Sequence, residues 1–138
     1  MKEEDYIITA EDADALLRFL PELEKLNGQY GMWGENFGLP VYVNFNETVH
    51  ELIQCLYDHG WVYPFDWGAW QGEADKYWND PELLATADTE VLRKLLTTHV
   101  RQDRFCEGHL LTALEGGHIM AILKRIDDIR KSSILKNG

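Results

Sequence analysis

The chain has 138 residues, 45% hydrophobic and 27% charged, with 24 acids against 13 lysines and arginines for a formal net charge of −11. A chain of that length buries roughly 70% of the surface its unfolded form exposes, and with this composition disorder is not the expectation. The acidic balance argues against nucleic acid as a partner, because that binding draws on many phosphate-neutralising cations, and no apolar run approaches the ~18 residues of a membrane span.

The charge is uneven. Residues 1–90 hold 19 acids and 4 bases, whereas residues 91–138 hold 5 acids and 9 bases. Either the two parts neutralise each other within one domain, or the basic part meets an anion. The opening MKEEDYIITAEDADALL lacks the basic-then-apolar order of a signal peptide, so a cytoplasmic protein with one domain over residues 1–138 is expected. In that compartment Cys55 and Cys106, which form no CxxC pair, are free thiols.

Thr9, with Asp12 three residues on, marks the start of a first helix, and Ala13, Leu16, Leu17 and Leu20 share its inner face. Pro21 interrupts that helix and Asn27-Gly28 ends its continuation. In QYGMWGENFGLPVYVNFN the alternation of Val41, Val43 and Phe45 predicts two short strands joined by the loop GENFGLP. Asn46 caps a second helix with Val49, Leu52, Ile53, Leu56 and Tyr57 inward, stopped by Gly60. The run Trp61-Val62-Tyr63 is a candidate third strand.

Asp66 is placed to cap an aromatic helix with Trp67, Trp70, Ala74, Tyr77 and Trp78 on one side. A stripe of large rings serves a core or, alternatively, a ligand platform. Asn79-Asp80-Pro81 turns the chain. Asp88 caps a helix with Val91, Leu92, Leu95, Leu96 and Val100 inward and Arg93, Lys94, Thr97 and Arg101 outward. A further helix over 105–115 places Cys106 beside Leu110, and Gly116-Gly117 leads into a last helix with Ile119, Ile122, Leu123, Ile126 and Ile129 buried. The expected class is mostly helical α+β, with about six helical segments and a small antiparallel sheet of two or three strands.

The stretch HVRQDRFCEGHLLTALEGGHI, residues 99–119, concentrates three histidines, three acids, two arginines and a cysteine. Cys106 and His109 sit at helical spacing for two metal ligands, with His99, His118 or Glu107 as a third, although the paired spacing of a structural zinc site is missing. Cys106 near a helix start, with Arg101, Arg104 and His109 close by, also suits an activated thiolate nucleophile. A third reading needs no ligand: Asp103 and Glu107 serve the helix start and His109 bonds a neighbour. A fourth gathers Arg101, Arg104, Glu107 and His109 into an anion pocket beside Asp66, Trp67 and Trp70.

The order FDW with a following Trp, DPELLATAD, RKLLTTHVRQDRFCEGHL and GHIMAILKRI resembles a bacterial domain-of-unknown-function family, number 6508, most strongly over residues 65–126. The matching positions are Phe65, Asp66, Trp67, Arg101, Arg104, Phe105, Glu107, Gly108, His109 and Gly117. The resemblance implies a stand-alone bacterial cytoplasmic protein and brings no activity, substrate or cofactor. The residues favour a binding or regulatory module for a small anionic ligand or a protein partner, without a cofactor. The rival is a small hydrolase or metal-dependent enzyme using Cys106 and His109, with His118 as a further ligand. Self-association through GENFGLP, as a homodimer, is the third expectation.

Overall fold

Asp12 organises the start of the chain in the computed structural model, which describes residues 6–132. The Thr9 hydroxyl accepts from the Asp12 amide at 3.3 Å, and the Asp12 carboxylate accepts from the Thr9 amide at 3.0 Å. This reciprocal cap opens α1 (Ala10–Leu17). The same carboxylate also accepts from the Tyr6 hydroxyl at 2.7 Å and faces His59 Nδ1 at 2.9 Å. Burial alone would push its pKa up. The hydrogen bonds from Thr9, Tyr6 and His59 outweigh that, and the net shift is downward.

Helix α2 (Phe19–Lys25) follows after a break at Arg18. Pro21 has no amide hydrogen to give the Leu17 carbonyl and its ring crowds it, so the interruption falls on the N-terminal side of the proline. Strands β1 (Gly31–Asn36) and β2 (Leu39–Phe45) pair antiparallel, Gly31 opposite Phe45 and Gly34 opposite Tyr42, with a register shift between Gly34 and Glu35. The connection is tighter than GENFGLP suggested: Phe37 and Gly38, both with positive φ, make a two-residue turn. The side chain of Val41 lies outside the described residues.

Asn46 caps α3 (Glu47–Asp58) through its Oδ1 and the Val49 amide. Tyr57, expected inward, is exposed. Trp61-Val62-Tyr63 is buried but is not a strand, because its backbone groups find other partners. The Trp61 and Val62 amides donate to the Leu56 carbonyl, the Thr97 hydroxyl bridges the Tyr63 amide and the Trp61 carbonyl, and the sheet stays two-stranded.

The aromatic helix α4 (Gln71–Trp78) starts later than Asp66, whose carboxylate instead accepts the Ala69 amide in the preceding turn. Asp80 caps the single turn α5 (Pro81–Leu84), with Pro81 at its first position. Helix α6 (Thr89–Gln102) is capped by Asp88 and is buried on more sides than its apolar stripe indicates. Arg93 and Thr97, expected outward, are buried with Thr98 and His99. The Arg93 guanidinium lies 3.7 Å from the Tyr63 ring centroid, and its Nε donates to the Gly60 carbonyl.

Helices α7 (His109–Glu115) and α8 (His118–Lys131) complete the chain, and α8 packs against α1, α2, α5, α6 and α7. One apolar cluster runs from Ile8 to Ile129 and includes Leu16, Leu23, Trp61, Leu95, Leu114 and Ile122. Eight helical segments and one hairpin among the described residues make a mostly helical α+β fold. None of these helices is long and apolar enough to cross a membrane.

Replacing Asp12 by Asn removes the charged acceptor while keeping the shape, and an expected loss of about 2 kcal/mol follows from hydrogen bonds to a buried charge. Because the folded pKa of Asp12 is depressed, its contribution is complete above the unfolded value of ~3.9 and is lost as pH falls through the folded value. Urea unfolding of both proteins at neutral and strongly acidic pH should show the gap between them closing in acid.

Candidate functional site

The 99–119 stretch divides in space into three groups. The first is a histidine cluster around Trp78. His99 comes from the last turns of α6, His109 opens α7 and His118 opens α8, so the turns between these helices bring the three rings to one place. Gly108 and Gly117, with φ of 90° and 83°, supply the left-handed backbone that precedes each helix start.

The Trp78 ring centroid stands 5.4, 5.8 and 4.8 Å from those of His99, His109 and His118. His99 Nδ1 faces His109 Nε2 at 3.0 Å, so one of the two carries the proton that the other accepts. His99 is 3% exposed and His118 7%, and the Nε2 atoms of both are buried without a hydrogen-bond partner. Burial lowers the pKa of all three, reinforced at His99 and His118 by the neighbouring imidazoles, and brings His118 to about 4. At His109, Asp103 and Asp75 oppose the shift without reversing it. The cluster is neutral at pH 7.

The second group lies around Tyr57. Arg101 lines a recess of about 190 Å³ with Tyr57, Val62, Tyr63 and Pro64. The exposed Arg104 donates to the Tyr57 hydroxyl at 3.4 Å. Neither arginine has a carboxylate partner among the described residues. Arg101 and His99 are two residues apart, about 200° around a helix, which separates them.

The third group ties the hairpin to the turn before α7. Glu107 accepts from the Val43 amide at 3.3 Å, and the Trp33 ring packs so closely on Gly108 that a Cβ there would collide with it. Asp103 accepts from the Leu110 amide at 2.9 Å and so does cap α7, although that helix begins at His109 rather than Phe105. Cys106, expected in a core position on that helix, is exposed in the turn. Cys55 is buried, and burial pushes its thiol pKa up.

The four anion-pocket residues are thus not one constellation. Arg101 lines the Tyr57 recess, Arg104 reaches the Tyr57 hydroxyl, Glu107 holds the hairpin and His109 joins the histidines. Trp67 packs on the exposed Phe105 at 5.7 Å, whereas Trp70 lies against Phe65 and Tyr77 with the Lys94 ammonium 5.9 Å from its ring. No hydrogen bond joins the Cys106 and His109 side chains. Among the described residues no three His, Cys, Asp or Glu side chains are arranged to hold a metal ion, so Cys106, His109 and His118 are not an assembled ligand set. The part played by Tyr57 had no sequence signal, because its spacing is that of an inward helix residue.

Fold and site together define a mostly helical α+β domain with histidines in its interior and arginines at a surface recess. More particularly, residues 8–132 match DUF6508, a family of unknown function, and the chain belongs to that family. No curated protein and no solved structure matches it.

The lowered histidine pKa values have a definite sign. The unfolded chain binds protons near ~6.5 that the folded chain refuses, so stability is full above that value and falls as pH drops towards the folded pKa. Between pH 7 and pH 5 the expected loss is on the order of 2 kcal/mol for His118 alone. His118→Phe should flatten this acid slope in urea-unfolding measurements, and an unchanged slope would show that His118 does not produce it.

Proposed function

We propose that the chain is a binding module that holds a small anionic group in the recess beside Arg101 and Arg104. One observation carries the reading: in a chain with 24 acids and 13 lysines and arginines, these two arginines flank one tyrosine and have no carboxylate partner among the described residues. Both guanidinium groups border solvent without a competing carboxylate among the described residues, and their fork geometry matches carboxylate and phosphate.

The recess of about 190 Å³ is below the ~300–1,000 Å³ of sites for drug-sized ligands, so the bound group is small or is one side chain of a larger partner. Tyr57 and Tyr63 both line its wall. The Leu110 amide at the start of α7 is already bonded to Asp103.

Isothermal titration of the full chain with inorganic phosphate and, separately, with acetate tests the reading. The expected result is saturable binding of one probe that weakens with added salt and falls at least about tenfold in Arg101→Gln/Arg104→Gln, a factor fitting the loss of charge-assisted hydrogen bonds. Heat that is absent for both probes, or equal in the variant, would refute the assignment. Both positions border solvent, so the variant should unfold at nearly the native temperature.

A further inference from the structure

Residues 29–46 contain one charged side chain, Glu35, among 18 residues, in a chain that is 27% charged. They also carry much of the exposed apolar surface: Met32 is 75% exposed, Phe37 97%, Leu39 64% and Tyr42 44%. Scattered apolar side chains are ordinary, but a hairpin with a single charge on a chain of net charge −11 is a local exception that suits contact with another protein.

The backbone indicates which edge is open. Val43 stands opposite Trp33, and its amide points away from β1 to Glu107. In an antiparallel ladder, opposite residues either exchange both hydrogen bonds or both point outward. Trp33 therefore directs its amide and carbonyl to the outer edge of β1. The Asn46 amide bonded to the Tyr30 carbonyl, three residues further along, fixes the same alternation and turns Gly31 outward as well. The β2 edge is blunted by Glu107 and by Pro40, which has no amide hydrogen, whereas β1 has neither device.

We infer that the outer edge of β1 pairs antiparallel with β1 of a second copy of this chain, centred on Trp33, to form a continuous four-stranded sheet. The register makes the edge complementary to itself. Trp33 meets Trp33 of the other copy, Met32 falls opposite Gly34, and Glu35 falls opposite Gly31, so the one charge of the hairpin does not face its twin. Gly34 has no side chain, and the Tyr42 ring of its own hairpin lies over it, giving the incoming Met32 an apolar bed. A partner chosen by charge would be met elsewhere on this acidic chain. Two like-charged copies approach with least repulsion where each carries the least charge, and a two-fold contact needs one patch only.

Sedimentation equilibrium of the full chain up to sub-millimolar concentration, with amide hydrogen exchange at Trp33, tests the inference. A monomer–dimer equilibrium is expected, with the Trp33 amide increasingly protected as concentration rises. Met32→Lys should weaken dimerisation at least about tenfold, because it sets a cation against the apolar bed. Phe37→Lys, at the hairpin tip, should leave dimerisation unchanged. A native chain that stays monomeric overturns the inference. So does a dimer that Phe37→Lys disrupts as strongly as Met32→Lys, or one in which Trp33 exchange does not depend on concentration.

Discussion

Helix α6 is enclosed by its neighbours, yet it carries Arg93, Thr97, Thr98 and His99 among its buried residues. A buried polar group without a partner costs on the order of 1–3 kcal/mol, and nearly all of these polar atoms find one, the His99 Nε2 excepted. Thr97 is met by the backbone of Trp61 and Tyr63, and Arg93 by the Gly60 carbonyl and the Tyr63 ring. Thr98 turns back to the Lys94 carbonyl within the helix. The turn at 60–63 is held from both sides: the Trp61 and Val62 amides bond back to the Leu56 carbonyl of α3, while Arg93 and Thr97 of α6 meet the Gly60 and Trp61 carbonyls and the Tyr63 amide.

The same constraint arranges the site. His99 finds His109, and the short turns through Gly108 and Gly117 bring the starts of α7 and α8 to the end of α6, with Trp78 against all three imidazoles. The imidazoles stay uncharged because apolar surroundings favour the neutral form and each neighbour opposes a second positive charge. Arg101, on another face of α6, and Arg104, in the turn beyond it, border solvent. One helix thus separates a dry titratable cluster from a wet cationic recess, although the two share a stretch of 21 residues.

The hairpin is joined to this body at few points. Glu107 and Gly108, in the turn between α6 and α7, receive Val43 and Trp33. A substitution in that turn therefore acts on the hairpin as well as on the start of α7. Gly108 is constrained twice, by its positive φ and by the indole against it.

Local signals were legible in the sequence. Thr9, Asn46 and Asp88 cap their helices, Gly60 and Gly117 take the left-handed backbone, and the apolar stripes of α3, α6 and α8 face the core as their spacing predicts, Tyr57 excepted. Capping and amphipathic periodicity depend on neighbours within about four residues, so sequence alone determines them. The same local rules misplaced Arg93, Thr97, Tyr57 and Cys106. Whether a polar side chain points to water or into the interior depends on what other elements cover that face. Only the tertiary structure decided that Arg93 meets Gly60, that His99 meets His109 rather than Cys106, and that Arg101 and Arg104 gather at Tyr57. These partners lie 33, 10 and 44 to 47 residues away, and nothing but packing brings such distant side chains together.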